Sequence, residues 1–173
     1  MRIQTDHPIV DAVLDRHRDQ LGASFPAYRN HVLRSLNYQR LLLGEPVPDV
    51  AALAWAVHDL GVWTAGTWDY LAPSADLAEA HAAEFGVTDI AAARRLVLDH
   101  HRLRAVDDRL VETFRVADRI DASRGLVRRP LTRADIESVV AQLPYEGFHA
   151  YLARRAVAYA IAHPLRPLPM VRW

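Results

Sequence analysis

Helix start and stop signals recur along this chain, while runs typical of β-strands are nearly absent. Capping residues or prolines open the apolar stretches, and glycines close most of them. The pattern predicts helices over residues 6–22, 24–44, 49–61, 74–86, 88–101, 107–125, 132–143 and 146–162, with an irregular aromatic segment at 62–73. The expected caps include Asp6, Ser24, Ser74, Thr88 and Thr132, the last with Asp135 in a pattern that resembles a capping box. Asp49 starts the third helix, and the acidic pair Asp107-Asp108 precedes the sixth. We therefore expect an all-α fold, a single-domain bundle of seven or eight helices over residues 1–173.

The composition excludes several kinds of chemistry and several kinds of partner. The chain has no cysteine, so disulfides and thiolate catalysis are excluded, and this fits a reducing cytoplasm. All 21 basic residues are arginine, which removes Schiff-base lysines and phosphate-binding P-loops. Because the formal net charge is zero and no run of eighteen apolar residues occurs, we expect neither a nucleic-acid partner nor a membrane span.

Four histidine and aspartate side chains fall where helices should bury their apolar stripes. They are His31, the dipeptide His58-Asp59, and Asp118, which follows Phe114 by one helical turn. A buried imidazole or carboxylate needs a partner, because leaving water without one is costly. A divalent metal is one partner that all four side chains can share.

The segments that carry these residues are Tyr28-Arg-Asn-His31-Val-Leu-Arg34, Ala56-Val-His58-Asp59-Leu-Gly61 and Val116-Ala-Asp118-Arg-Ile-Asp121. In order and spacing they resemble the HD-domain superfamily of metal-dependent phosphohydrolases, whose pattern is His, His-Asp and Asp on a helical bundle. The resemblance covers about residues 24–125 and leaves 126–173 as C-terminal helices and a Pro-rich tail. It implies an HD-domain-like fold in which His31, His58, Asp59 and Asp118 ligate one divalent cation.

The resemblance also implies an enzyme, a hydrolase of phosphoric esters or anhydrides that acts on a small phosphorylated metabolite or nucleotide. The cation would lower the pKa of its water, which then attacks phosphorus. Imidazole and carboxylate ligands suit Mn, Fe, Co, Ni, Zn or Mg, and the sequence does not choose among these metals.

The better-defined substrate classes of this superfamily do not fit the chain. Val62 stands where the bacterial 5′-nucleotidases of the group place a glutamate. The acidic pair of the guanosine tetraphosphate hydrolases is missing, and so are the lysine and the Gly-Tyr-Pro segment of the cyclic-dinucleotide phosphodiesterases. We therefore expect the superfamily chemistry and assign no named substrate.

Further histidines lie between the His-Asp pair and the final aspartate. Some HD proteins use such residues to hold two metals, and here His81 with His100 or His101 would complete a six-ligand set in which Asp59 bridges. Two irons would open a different reaction class, because a branch that resembles myo-inositol oxygenase cleaves C–C or C–P bonds with dioxygen. A third alternative is a non-catalytic HD-fold module that binds or regulates.

Other residues near the motifs are candidates for proton transfer and for anion binding. The expected catalytic residues are Asp59, Asp121 and His101, and the expected substrate-binding residues are Arg34, Arg102 and Arg124. Besides its small-molecule substrate, the chain has a second copy of itself as a candidate partner. The Pro-rich tail that ends at Trp173 fits docking on another subunit as well as packing on its own domain.

Overall fold

The computed structural model describes residues 2–171 and confirms the all-α prediction. Within this range ten α-helices follow one another, and eight of them have nine residues or more. No β-strand occurs within residues 2–171. The helices are α1 Pro8–Arg16, α2 Arg18–Leu21, α3 Phe25–Leu43, α4 Asp49–Val57, α5 Gly61–Thr64, α6 Leu71–Ala82, α7 Ile90–Asp99, α8 Arg109–Ala122, α9 Arg133–Gln142 and α10 Phe148–Ala162.

Helix α4 forms the centre of the bundle because its sequence is apolar on every side. Residues 51–57 are fully buried, and the helix contacts α1, α3, α6 and α7. A helix that is hydrophobic all round is stable only when other elements surround it. Trp55 of α4 stacks on Phe114 of α8, with ring centroids 3.6 Å apart, and donates a hydrogen bond of 2.6 Å to Gln39 of α3.

Two further helix pairs enclose α4, α3 against α8 and α6 against α7. Helix α3 ends at Gly44, which has a φ of 72° and donates its N–H to the Arg40 carbonyl, as the sequence predicts. Helix α8 begins after Asp108, whose carboxylate accepts hydrogen bonds from the first turn. The middle of α3, the middle of α8 and the C-terminal ends of α4 and α7 consequently meet in one interior region.

The segment after α4 differs from the prediction in two ways. Gly61 does not end a helix but begins α5, and an added Cβ there would lie 2.7 Å from the Tyr70 carbonyl oxygen. Ser74 does not cap α6 but lies inside it, where its hydroxyl accepts a 3.0 Å hydrogen bond from the Gly61 N–H. Gly61 is needed because the two segments approach each other closely. In a sequence, such a glycine looks the same as one that ends a helix.

Other boundaries move by a few residues. Helix α1 starts after His7 instead of Asp6, and a break at His17 divides the first predicted helix into α1 and α2. Asp89 caps α7 in place of Thr88, and α7 ends at Asp99. The Ser24 side chain makes no capping bond to α3. The predicted capping box of Thr132 and Asp135 at the start of α9 is confirmed.

The C-terminal segment packs on its own bundle as far as the structure describes it. Met170 is buried in a small cluster with Val62, Trp68, Tyr70 and Leu71. Trp173, which the sequence offers as a docking residue, lies outside the described residues. Within residues 2–171, no helix is both long and apolar enough to cross a membrane.

Candidate metal centre

Three helices bring the first four predicted histidine and aspartate ligands together in the interior. His31 comes from the middle of α3, His58 and Asp59 from the end of α4, and Asp118 from the middle of α8. The Nε2 atoms of His31 and His58 are 3.0 Å apart. The His31 Nε2 atom lies 3.6 Å from Asp118 Oδ1, and the His58 Nε2 atom lies 3.5 Å from Asp59 Oδ2.

The turn after α7 adds the next two histidines to the cluster. His100 Nε2 lies 3.4 Å from Asp59 Oδ1, and His101 Nδ1 lies 4.0 Å from Asp118 Oδ2. Three overlapping groups each place one donor atom per residue within 4.8 Å of the others. The groups are His31 with His58 and Asp118, His58 with Asp59 and His100, and His100 with His101 and Asp118.

Hydrogen bonds fix the ring orientation of three of these histidines. The Nδ1 atoms of His58 and His100 lie 2.8 and 2.6 Å from the backbone carbonyls of Trp55 and Val97, each three residues earlier. Because a carbonyl accepts only, Nδ1 is the donor in this hydrogen bond of each ring, and Nε2 is the atom that faces the cluster. The last turns of α4 and α7 thus orient two imidazoles toward the centre.

His31 is oriented by a carboxylate instead of a carbonyl. Its Nδ1 atom lies 2.7 Å from Asp121 Oδ2, and the guanidinium of Arg34 binds both oxygens of Asp121 at 2.6 and 2.9 Å. All three side chains are buried. A carboxylate behind a histidine raises the basicity of the ring and fixes its tautomer, an arrangement typical of metal sites.

This arrangement revises two expectations from the sequence. Asp121 does not face the cluster as a proton-transfer group, because Arg34 and His31 occupy both of its oxygens. Arg34 is not placed to clamp a substrate anion, since its remaining donor binds the carbonyls of Leu143 and Pro144 at 3.1 and 2.9 Å. Both residues act on the centre through His31.

Two buried atoms of the cluster have no hydrogen-bond partner among the described residues. They are Asp59 Oδ1 and His100 Nε2, which face each other. Buried polar atoms are nearly always paired, so an orphaned carboxylate oxygen beside an orphaned imidazole nitrogen calls for a further group. A cation bound by both atoms would satisfy them, and the donor set of imidazoles and carboxylates fits a divalent transition metal.

The charges of the cluster shift the pKa values of its members. Burial disfavours the imidazolium of His58, but Asp59 and Asp118 outweigh burial and raise its pKa to about 9. Burial also opposes ionisation of Asp118, yet the neighbouring histidines lower its pKa to about 2. The imidazoles likewise hold the pKa of Asp59 well below its usual value in spite of burial. The centre keeps both carboxylates ionised and attracts positive charge.

His101 occupies the most exposed edge of the cluster. Its side chain is 26% exposed, compared with 6% for Asp59 and Asp118. Burial and the neighbouring His100 lower the pKa of His101 to about 3, so the ring is neutral near pH 7. Its Nε2 atom lies 2.7 Å from the hydroxyl of Tyr70. The sequence does not predict this pair, because Tyr70 is one of several aromatic residues in the segment 62–73.

His81 is not brought to the centre. Its Nε2 atom lies 3.0 Å from Nε2 of His17, on the side of α6 that faces the junction of α1 and α2. Burial lowers the pKa values of both imidazoles. The predicted six-ligand set therefore lacks His81, and His101 is the sixth residue that the structure places with the other five.

Each of the two remaining arginine candidates contacts a residue outside the predicted ligand set. Arg102 follows His101, and its guanidinium lies 3.6 Å from Asp99 Oδ2. Arg124 lies beyond the end of α8, with its guanidinium 5.0 Å from the ring centroid of Tyr145.

Comparisons of this chain with family models, with curated proteins and with solved structures found no match. The helical bundle and its buried histidine and aspartate cluster are compatible with an HD-like fold.

Proposed function

We propose that this protein is a metal-dependent phosphohydrolase of the HD type that acts on a small phosphorylated metabolite or nucleotide. The observation that supports the proposal is the convergence of oriented Nε2 atoms with two ionised carboxylates from four separate helices. Such a set has no structural purpose that apolar residues would not serve better, because burying charges is costly. The sequence order that resembles the HD superfamily supports the same assignment.

Each residue has a part in this proposal. His31, His58, Asp59 and Asp118 would hold the first cation, and Asp59 with His100 and His101 would allow a second one. A bound divalent cation supplies a nucleophile at neutral pH by lowering the pKa of its water, and it stabilises charge on a phosphoryl oxygen. Asp121 and Arg34 keep the His31 ring in place.

The protein also shapes the surroundings of the cation site. The ring of Phe148 stacks on His31 with centroids 4.2 Å apart, and the ring of Tyr28 lies near His31, Phe148 and Trp63. These aromatic walls exclude water from one side of the cluster, which strengthens electrostatic interactions there. The substrate would approach at the more exposed edge, where the hydrogen-bonded pair of His101 and Tyr70 can contact it.

The test combines elemental analysis of the purified protein with a panel of phosphate esters and anhydrides. We expect at least one bound transition metal for each chain and release of phosphate from some members of the panel. Asp59→Ala should abolish metal retention and activity while the helical circular dichroism stays largely intact. The matched control is Asp69→Ala, which removes a carboxylate 46% exposed from a surface ion pair with Arg166.

Phosphate release by Asp59→Ala at the wild-type rate would contradict the proposal. A second candidate function remains because the donors suffice for two ions, which a diiron oxygenase also requires. An electron paramagnetic resonance signal of mixed-valence iron with oxygen consumption would favour that enzyme. Stable metal binding without any turnover would favour a regulatory or binding module.

A further inference from the structure

A groove separate from the metal centre lies between the C-terminal end of α8 and helix α9. Its volume is about 600 Å³, within the range typical of sites for small organic molecules. Among the described residues, its lining includes none of the metal-centre donors. One wall is apolar, with Ile136 and Val140 of α9, and the ring of Tyr145 lies at one end.

The charges around the groove are mostly positive. Arg124, Arg128 and Arg133 line it, and the acidic residue among the lining side chains is Glu137. Glu137 is paired with Arg133 at 2.7 Å, which leaves an excess of two positive charges. The lining therefore offers both cationic groups and apolar side chains to a ligand.

The backbone of Arg124 is in a conformation that favours glycine. Its φ is 53°, and its N–H donates to the Asp121 carbonyl at 2.8 Å in the turn that ends α8. A glycine would adopt this conformation without cost, whereas a side chain there is strained. In this conformation the guanidinium of Arg124 lies over the Tyr145 ring at the groove. Strain of this kind is a reason to look for a function.

We propose that this groove binds a small organic phosphate with an aromatic body. Guanidinium groups pair with phosphate oxygens through two parallel hydrogen bonds, and Arg124 and Arg128 are the two cations without a carboxylate partner in the lining. Tyr145, Ile136 and Val140 would contact the aromatic body. The inference does not depend on the reaction at the metal centre, because the two sites use different residues.

The experiment is calorimetric titration with 1-naphthylphosphonate, which carries the charge and the ring and has no phosphate ester bond to hydrolyse. Two further ligands test the two parts of the phosphonate one at a time. Inorganic phosphate carries the charge alone, and 1-naphthalenemethanol carries the ring alone. We expect saturable binding of the phosphonate and at least about tenfold weaker binding of each partial ligand. Equal affinity for the uncharged ligand, or no saturable binding of the phosphonate, would overturn the proposal.

Two arginine variants locate the binding site in the groove. Arg124→Gly and Arg128→Gln should each weaken phosphonate binding at least about tenfold, since each removes one charged hydrogen-bonding group. The matched control is Arg2→Gln, which removes an exposed arginine that does not line the groove. If either groove variant binds as tightly as the wild type, the proposal is wrong.

The glycine variant also separates binding from folding. Arg124→Gly relieves the strained backbone, so its Tm should equal or exceed that of the wild type. Loss of phosphonate binding in a variant that is at least as stable cannot result from unfolding. A lower Tm together with unchanged affinity would show that Arg124 is kept for stability alone.

Discussion

Asp121 contributes to the candidate metal centre by orienting His31 and does not face the cluster itself. The carboxylate is fully buried, and Arg34 and His31 together lower its pKa in spite of that burial. Since His31 Nδ1 donates to this carboxylate, the opposite nitrogen is always the one that faces Asp118 and Asp59. The tautomer of His31 is thus set before any cation arrives.

We predict that Asp121→Asn weakens metal binding about 10–100-fold. The amide has one acceptor oxygen in place of two and cannot accept all three hydrogen bonds from Arg34 and His31, so the imidazole loses its fixed orientation. The measurements are a metal titration and the ¹⁵N chemical shifts of the His31 ring, which report its tautomer. The variant will also be less stable, because it leaves the buried Arg34 charge unpaired, so affinity is compared only on protein shown to be folded.

The control for this variant is Asp76→Asn, which removes a 69% exposed carboxylate from a surface ion pair with Arg94. It should change neither the metal affinity nor the ring shifts. Unchanged metal affinity in folded Asp121→Asn would contradict the orienting role of Asp121.

The sequence could predict that Asp121 matters but not what it does. Asp118 and Asp121 are three residues apart, so periodicity places both on the buried face of α8. Which of them faces the cluster depends on where α3 crosses α8, and this crossing is a property of tertiary packing that the sequence does not show. The same limit applies to Arg34. The sequence offered it as a substrate-binding residue, and the structure pairs it with the Asp121 carboxylate.

At the level of elements, the turn from α4 to α5 decides whether Asp59 reaches the cluster. The turn is held by Gly61, which packs so closely on α6 that an added Cβ would lie 2.9 Å from the Ser74 hydroxyl as well as 2.7 Å from the Tyr70 carbonyl. The N–H of Gly61 also donates to that hydroxyl. Gly61 follows Asp59 by two residues, and Asp59 is a donor in one of the groups that could hold a metal ion.

Gly61→Ala should therefore reduce both stability and metal affinity. Displacing α6 to make room for a methyl group costs about 1–3 kcal/mol in a packed interior. Since the displaced turn carries Asp59, the metal affinity should fall with it. Chemical denaturation and metal titration measure the two effects.

Gly44→Ala is the matched control for this substitution. Gly44 has a positive φ and nothing within 4 Å of an added Cβ, so the variant should lose about 1 kcal/mol through its backbone alone. Its metal affinity should be unchanged, because Gly44 lies at the end of α3. An equal loss of metal affinity in both variants would contradict the positioning role of the α4–α5 turn.

The segment between α7 and α8 is held to α8 by hydrogen bonds between its backbone and two α8 side chains that form an ion pair, Glu112 and Arg115. Glu112 accepts two hydrogen bonds from the buried Arg115, at 2.9 and 2.6 Å, and a third from the Val106 N–H. Arg115 also donates to the Arg102 carbonyl, next to His101. These bonds, led by the one from Arg115, lower the pKa of Glu112 below its ordinary value of 4.5.

The lowered pKa gives a pH-dependent contribution to stability. The ionised Glu112 stabilises the fold fully above its ordinary pKa of 4.5, and the contribution disappears as the pH falls through the lower pKa of the folded state. We expect Glu112→Gln to have a lower Tm than the wild type at pH 7 and a shrinking difference below about pH 4.5. Thermal unfolding between pH 3 and pH 8 measures the difference. A difference that stays constant with pH would contradict this account.

For the whole molecule, the sequence predicted the class of the fold and the convergence of His31, His58, Asp59 and Asp118 better than it predicted which further histidines join them. Apolar periodicity and caps were sufficient for the bundle, because helices report their buried face locally. His100 and His101 follow a helix whose end could be placed within two residues. His81 was misplaced because its apolar neighbours Leu77 and Phe85 are only partly buried, and its side of α6 faces His17.

The centre joins four helices that are distant in sequence, so a bound metal should stabilise the entire bundle. A ligand present at 100 times its Kd stabilises the native state by about 2.7 kcal/mol. For a chain of this length that corresponds to an increase in Tm of about 5–10 °C. We expect protein stripped with a chelator to unfold at the lower temperature and added Mn, Fe, Co, Ni or Zn to restore the higher one.

Two histidine variants connect this stabilisation to the proposed ligands. His58→Ala removes a donor that belongs to two of the metal-binding groups, so its Tm should no longer respond to metal. His81→Ala removes an imidazole that the structure places against His17, and its Tm should rise with metal as in the wild type. Because both variants lose one histidine from the bundle, the difference between them reports metal binding and not a general loss of stability. A metal response that survives in His58→Ala but disappears in His81→Ala would place the ion elsewhere and contradict the centre described above.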